Sequence, residues 1–211
     1  MNKPLHLRLE HLTRLLEENQ PVDAPVRPLI RFPEGGAPAE RALATVWFSK
    51  THLHALAVME DTHVSNTAKG RHEKTWETGD VMELFIQPDV RKKNYFEFHV
   101  TPSGAALSLR IPDAEKLRAD EYAFEELLFD SVFEYDSRTF GGPVSGWWAH
   151  AALPLSEIEL TDPRQARCCV CRYNYNPAWD GPECSSTAKL TGYTSFHTLE
   201  RWHGVDGGVS P

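Results

Sequence analysis

From Val81 to Val100 the side chains alternate between apolar and mixed positions. Met82, Leu84 and Ile86 fall on one side of an extended ribbon, and Val81, Glu83, Phe85 and Gln87 on the other. Beyond a Pro88-Asp89 turn the pattern returns, with Phe96, Phe98 and Val100 opposite Tyr95, Glu97 and His99. One face of each ribbon can enter a core while the other meets solvent or a ligand. Similar short extended segments over 42–48, 53–60, 105–111, 127–135, 146–153 and 166–175 bring the predicted strands to eight. Gly79-Asp80, Pro102-Ser-Gly104 and Gly141-Gly-Pro143 provide turn chemistry between them. Leu5, Leu9, Leu12, Leu15 and Leu16 follow helical spacing before Pro21, Pro25 and Pro28, which predicts a short N-terminal helix over 5–19 covering a sheet edge or one end of the core. Residues 113–126, rich in Ala, Glu, Lys, Leu and Arg, predict a helical turn. One-faced strands at short spacing without regular intervening helices predict an all-β protein, an antiparallel β-sandwich. The expected organisation is a single domain, with residues 1–40 an extension packed on a sandwich formed by 41–211.

The composition supports one sizeable core, with 211 residues of which 41% are hydrophobic. A formal charge of −8 gives no electrostatic attraction to nucleic acid or an anionic membrane, so neither is an expected partner, and neutral ligands stay open. No run of about 18 apolar residues and no apolar signal region is visible; the expected setting is cytoplasmic, or extracellular or periplasmic if a leader has been removed. Three of the four cysteines crowd into Cys168-Cys169-Val-Cys171, with the fourth at Cys184. In a strand Cys169 and Cys171 share a face and Cys168 points away, which does not converge on a zinc ion. Reduced thiols filling a strand are expected, and a disulfide from Cys184 to one of the three stays open for an exported protein.

Trp76 precedes a Gly-Asp turn and Trp179 stands in Asn-Pro-Ala-Trp-Asp-Gly, so each reads as a loop aromatic at an end of the sandwich. Flat indoles stack on the C–H faces of a pyranose while carboxylates, amides and guanidinium groups take its hydroxyls; plugging the end of the core is the competing role. Glu83, on the polar face of its strand, can accept two sugar hydroxyl protons or pair with a cross-strand base. His99 and Arg110 come from the next two strands, and Arg110 either donates to a ligand or neutralises Glu83. Arg172 and Asn174 end a strand, with Asn176 and Trp179 in the loop beyond; Asn before Pro also suits a plain turn. Glu83 and Glu97 are the carboxylate pair a glycosidase would need, yet no nucleophile elbow, metalloprotease helix or phosphate loop accompanies them, so catalysis is not expected.

Taken together, Ala44-Thr-Val-Trp-Phe, Leu53-His-Ala-Leu-Ala-Val-Met-Glu-Asp61, Trp76 with Gly79-Asp-Val-Met-Glu-Leu-Phe-Ile-Gln-Pro-Asp89, Tyr95-Phe-Glu-Phe-His-Val-Thr-Pro-Ser-Gly104, Arg172-Tyr-Asn-Tyr and Ser195-Phe-His-Thr-Leu-Glu-Arg-Trp202 resemble the family 9 carbohydrate-binding modules and their DOMON-like relatives. The resemblance spans about residues 42–203. It implies a jelly-roll-like antiparallel sandwich that holds sugar ends between two tryptophans and is usually attached to xylanases and other polysaccharide-degrading enzymes. By position, Trp76 and Glu83 correspond to the first aromatic wall and its acidic partner. Asn176 and Trp179 fit the second wall, with Asn174 and Tyr175 as rivals, and His99 and Arg110 compete for the place of a strand arginine. Family members carry structural calcium, although no oxygen-rich loop here has its ligand spacing. Some DOMON-like proteins bind haem, for which Met59 or Met82 with a histidine would be the ligands.

Overall fold

A computed structural model describes residues 24–205. Two antiparallel sheets form a sandwich. Sheet I runs in the order β1 (Arg27–Pro28), β3 (Ala42–Phe48), β4 (His52–Glu60), β9 (Gly146–Pro154), β8 (Glu134–Phe140). Sheet II runs β2 (Ile30–Phe32), β11 (Glu183–Ser186), β10 (Arg167–Asn174), β5 (Val81–Gln87), β6 (Tyr95–Val100), β7 (Ala106–Ile111), with β12 (His203–Gly204) also paired to β10. Two short helices, α1 (Ala114–Arg118) and α2 (Phe124–Leu127), follow β7. Among the described residues no helix is long and apolar enough to cross a membrane.

The main core lies between the sheets and follows from the alternation. Met82, Leu84 and Ile86 of β5 and Phe96, Phe98 and Val100 of β6 face sheet I, where Ala55, Ala57, Ala149 and Ala151 leave room for them. Large side chains opposite small ones interdigitate at close packing. A second apolar layer covers the outer face of sheet II: Leu190, Phe196, Leu199 and Trp202 from the C-terminal segment and Leu127 of α2 pack on Phe85, Tyr95, Leu107, Leu109, Cys169 and Cys171. Both faces of β5 and β6 are therefore buried. Cys169 and Cys171 share the outer face with sulfurs 3.5 Å apart, Cys168 is fully buried among the residues between the sheets, and none of the four cysteines is in a disulfide.

The strand expected over 127–135 is displaced. Residues up to Leu127 are helical, closed at the start by the Glu126 carboxylate accepting from the Ala123 amide at 2.8 Å, and β8 begins only at Glu134. The apolar run Leu127-Leu128-Phe129 was a helix end folding onto the sheet. Four short strands escaped the pattern, β1, β2, β11 and β12. Pro28 sits in β1 because that strand is the edge of sheet I, where a missing N–H leaves no ladder partner unsatisfied. β1 and β2 precede residue 41, and each adds one edge strand to a different sheet. The helix expected over 5–19 lies outside the described residues.

Candidate functional site

On the outer face of sheet II, between the strands, the α1–α2 segment and the loop before Leu199, lies a cavity of about 580 Å³. Register builds its floor. Glu83 stands directly opposite His99, and Phe85 opposite Glu97, so both carboxylates and the imidazole emerge on one face of adjacent strands. His99 lies between them, with Nδ1 3.5 Å from Glu83 Oε1 and Nε2 3.4 Å from Glu97 Oε2. Glu97 also contacts His197 Nδ1 at 3.2 Å, and that nitrogen is 2.6 Å from the Tyr95 hydroxyl.

The walls are aromatic. Trp76 sits in a single 3-10 turn, Thr75–Glu77, half-buried, with its ring edge-on to His99 at 5.6 Å and to Phe124 at 5.9 Å. Thr75 Oγ1 lies 2.9 Å from His99 Nδ1, and the Tyr175 hydroxyl donates to the Trp76 carbonyl at 2.5 Å, so the turn is pinned from both sides. Tyr122, Phe124, Tyr173 and Phe196 complete the lining, with Lys74, Arg118 and Asp120 at the rim. Gly79 ends the Trp76 turn at φ +141°, where a Cβ would stand 2.2 Å from the Ser65 carbonyl oxygen. Gly79→Ala is expected to lower stability by about 1–3 kcal/mol through backbone strain and overlap, read as a drop in the thermal midpoint.

Burial drives Glu83 upward to about 7, with His99 opposing and Glu97 adding to the rise. Burial pushes Glu97 up as well, but His197 and His99 outweigh it and hold Glu97 well below the ordinary carboxylate range. Desolvation pulls both histidines down; Glu83 and Glu97 outweigh it at His99, and Glu97 does so at His197, so both end above the usual imidazole value. Two neighbouring carboxyl groups are thus driven apart, one inclined to keep its proton and one ionised.

Of the residues singled out in the sequence, the cavity brings together Trp76, Glu83 and His99. Arg110 is elsewhere: it pairs across the ladder with Phe96, on the face away from Glu83, and bonds Glu159 while lying over the Phe96 ring. It therefore cannot neutralise Glu83. Arg172 and Asn174 also take the other face, since Arg172 stands opposite Met82; the guanidinium is buried against Asp61 and the Glu40 and Glu60 carbonyls, and Asn174 donates to Glu40 at 2.8 Å. Asn176 and Trp179 line a separate hollow of about 220 Å³ with His63, Ser65 and Tyr175. The aromatics that line the main cavity with Trp76 are Phe124, Tyr122 and Tyr173 instead.

His197 and Tyr173 line the cavity without having been expected from the sequence, although each has a signal there. Tyr173 continues the Cys169, Cys171 side of β10, which is the Glu83 side of β5, and His197 falls in the Ser195–Trp202 block that shares in the family resemblance. Met59 and Met82 are fully buried in the packed core between the sheets, away from the cavity on the outer face of sheet II, so they do not fit as haem ligands. Among the described residues no group of three or more His, Cys, Asp or Glu side chains converges as a metal site.

No protein-family model matches the chain, and no curated protein matches it in sequence. Solved structures do share its fold. A putative carbohydrate-binding protein from Bacteroides uniformis superposes with a TM-score of 0.62 at 14% identity, covering 92% of this chain and 89% of that one. A family 9 carbohydrate-binding module from Caldicellulosiruptor kristjanssonii in complex with cellotriose gives 0.52 at 12% identity, covering 89% of this chain and 87% of the module. A structure of a family 9 module from that organism in complex with glucose gives 0.50 at 13% identity over 89% and 88%. At these identities the likeness is one of fold.

Proposed function

We propose that the protein binds a mono- or oligosaccharide in the cavity on the outer face of sheet II, as an accessory to polysaccharide breakdown. The observation that carries this reading is the juxtaposition of the half-buried Trp76 ring with the Glu83, His99 and Glu97 floor in one open cavity of about 580 Å³. That volume is typical of small-ligand sites, and an aromatic wall beside convergent polar groups is the chemistry a pyranose requires. The sugar complexes of two fold neighbours support the same reading. Stacking plus a few solvent-competed hydrogen bonds leave affinities of about micromolar to millimolar after ordering costs.

Binding is favoured over glycoside hydrolysis because His99 contacts Glu83 and Glu97 through its two opposite nitrogens. The imidazole occupies the space where a scissile bond would have to lie between the carboxylates.

The test is titration of glucose, cellobiose, xylose and xylobiose, followed by tryptophan fluorescence. Trp76→Ala is expected to weaken binding by about tenfold or more, on the order of 1.4 kcal/mol, while Trp179→Ala leaves it unchanged. Loss of binding in Trp179→Ala alone would move the site to the smaller hollow.

A further inference from the structure

We infer that the cavity also interconverts the anomers of the reducing sugar it binds, with Glu83 and His197 as the acid–base pair. This rests on the sugar-binding reading and adds a reaction to it. The geometry singles out these two groups among the ionisable floor residues. His99 is enclosed, its Nδ1 taken by Thr75 and Glu83 and its Nε2 by Glu97. Glu97 is spent on the two histidines. His197 differs: Nδ1 is engaged by Glu97 and Tyr95, its side chain is 31% exposed, it lines the cavity, and among the described residues Nε2 has no partner.

A carboxylate on one imidazole nitrogen orients the ring and favours its charged form, leaving the other N–H to act on a ligand. Glu83 also lines the cavity, has His99 at 3.5 Å as its ion-pair partner among the described residues, and lies near enough to His197 for each charge to act on the other. A base and an acid thus share one sugar-sized space. A floor for neutral hydroxyls alone would need hydrogen-bonding groups, not four interlinked ionisable ones whose burial is costly.

The reaction balances without a co-reactant. The Glu83 carboxylate takes the proton of the anomeric hydroxyl while His197 Nε2–H gives one to the ring oxygen. The C1–O5 bond breaks, its electron pair stays on O5, and C1=O1 forms. Rotation about C1–C2 followed by the reverse transfers closes the ring as the other anomer and restores both side chains. Glu97 is a positioning residue, acting through His197.

The test follows freshly dissolved α-D-glucose by polarimetry, and equilibrium anomer exchange by proton NMR, against a buffer blank, with binding measured in parallel. Exchange above the blank is expected, falling on the order of a hundredfold in Glu83→Gln and in His197→Gln when rates are compared at sugar concentrations that saturate each variant. Glu97→Gln is expected to move the alkaline limb of the rate profile to lower pH, as His197 loses the carboxylate that holds its proton. Methyl α-D-glucoside, with no anomeric hydroxyl, should bind without exchange. Normal binding by the wild-type protein with exchange no faster than buffer would overturn the inference and leave the binding reading intact; no binding by any sugar would remove both.

Discussion

Replacing Arg172 with methionine is expected to destabilise the fold by about 3–5 kcal/mol, the range for breaking a buried ion pair from one side. The guanidinium is 1% exposed and its partner Asp61 is 0% exposed, at 3.1 Å. It also donates to the Glu60 carbonyl at 2.8 Å and the Glu40 carbonyl at 3.2 Å, so one side chain of β10 ties sheet II to the chain entering and leaving sheet I. Methionine fills the volume yet leaves Asp61 and two carbonyls without their donor, close to the buried Asp80, which accepts from the Ser65 and Tyr175 amides at 2.6 and 2.7 Å. Burial already raises Asp61 and takes Asp80 to about 7, and Arg172 is a cation opposing the rise at both. Urea unfolding at pH 7 checks the effect through the midpoint at constant slope. Unchanged stability with lost sugar binding would mean that the guanidinium faces the ligand rather than the interior.

That reversal of role for Arg172 marks where sequence reading stopped. Alternation along β5, β6 and β7 placed every side chain on a correct side of its own strand, because the pleat has a period of two that each segment carries by itself. Whether two strands present like or opposite sides to each other depends on pairing register, which no single strand encodes. Arg110 and Glu83 were each on a polar position, yet the register Ile86–Phe96–Arg110 sets them on opposite faces of the sheet. The same knowledge would have joined Tyr173 to Glu83 and separated Arg172 from it. Trp76 was legible because its wall needs only a turn followed by β5, a local arrangement. Phe124 and His197 reach the cavity from segments 41 and 114 residues beyond Glu83 in the chain, and only the folding of the C-terminal segment and α2 over sheet II brings them there. The buried polar core around Glu40, Asp61 and Asp80 likewise forms from three loops and a strand end.

Glu83→Gln is expected to match the wild-type protein in stability near pH 5 and to exceed it by about 2–3 kcal/mol at pH 8. The sign follows from the direction of the shift. Glu83 moves from 4.5 to about 7 on folding, so the folded protein holds that proton more tightly, and the stability it contributes is complete below pH 4.5 and lost as pH rises through about 7. At 1.36 kcal/mol per unit the whole change is on the order of 3 kcal/mol. Gln cannot ionise, so it escapes the loss. His99 and His197, both raised, and Asp80, raised to about 7, lose stability in the same direction, which gives the wild-type protein a falling profile between about pH 5 and 8. His54 runs the other way: burial beside His150 lowers it to about 4, so its contribution grows as pH climbs towards 6.5. Because that term is common to both proteins, the difference between their unfolding free energies isolates the floor of the cavity. The measurement is denaturant unfolding of both at pH 5 and pH 8. A Gln variant that is weaker than wild type at pH 8 would mean that the ionised Glu83 and His99 form a net stabilising pair, and the proton on Glu83 would then be released well below neutrality. The same result would sharpen the acid–base assignment, since a base that is ionised throughout the neutral range would accelerate anomer exchange without the ascending limb near pH 7 that a carboxyl held at about 7 imposes.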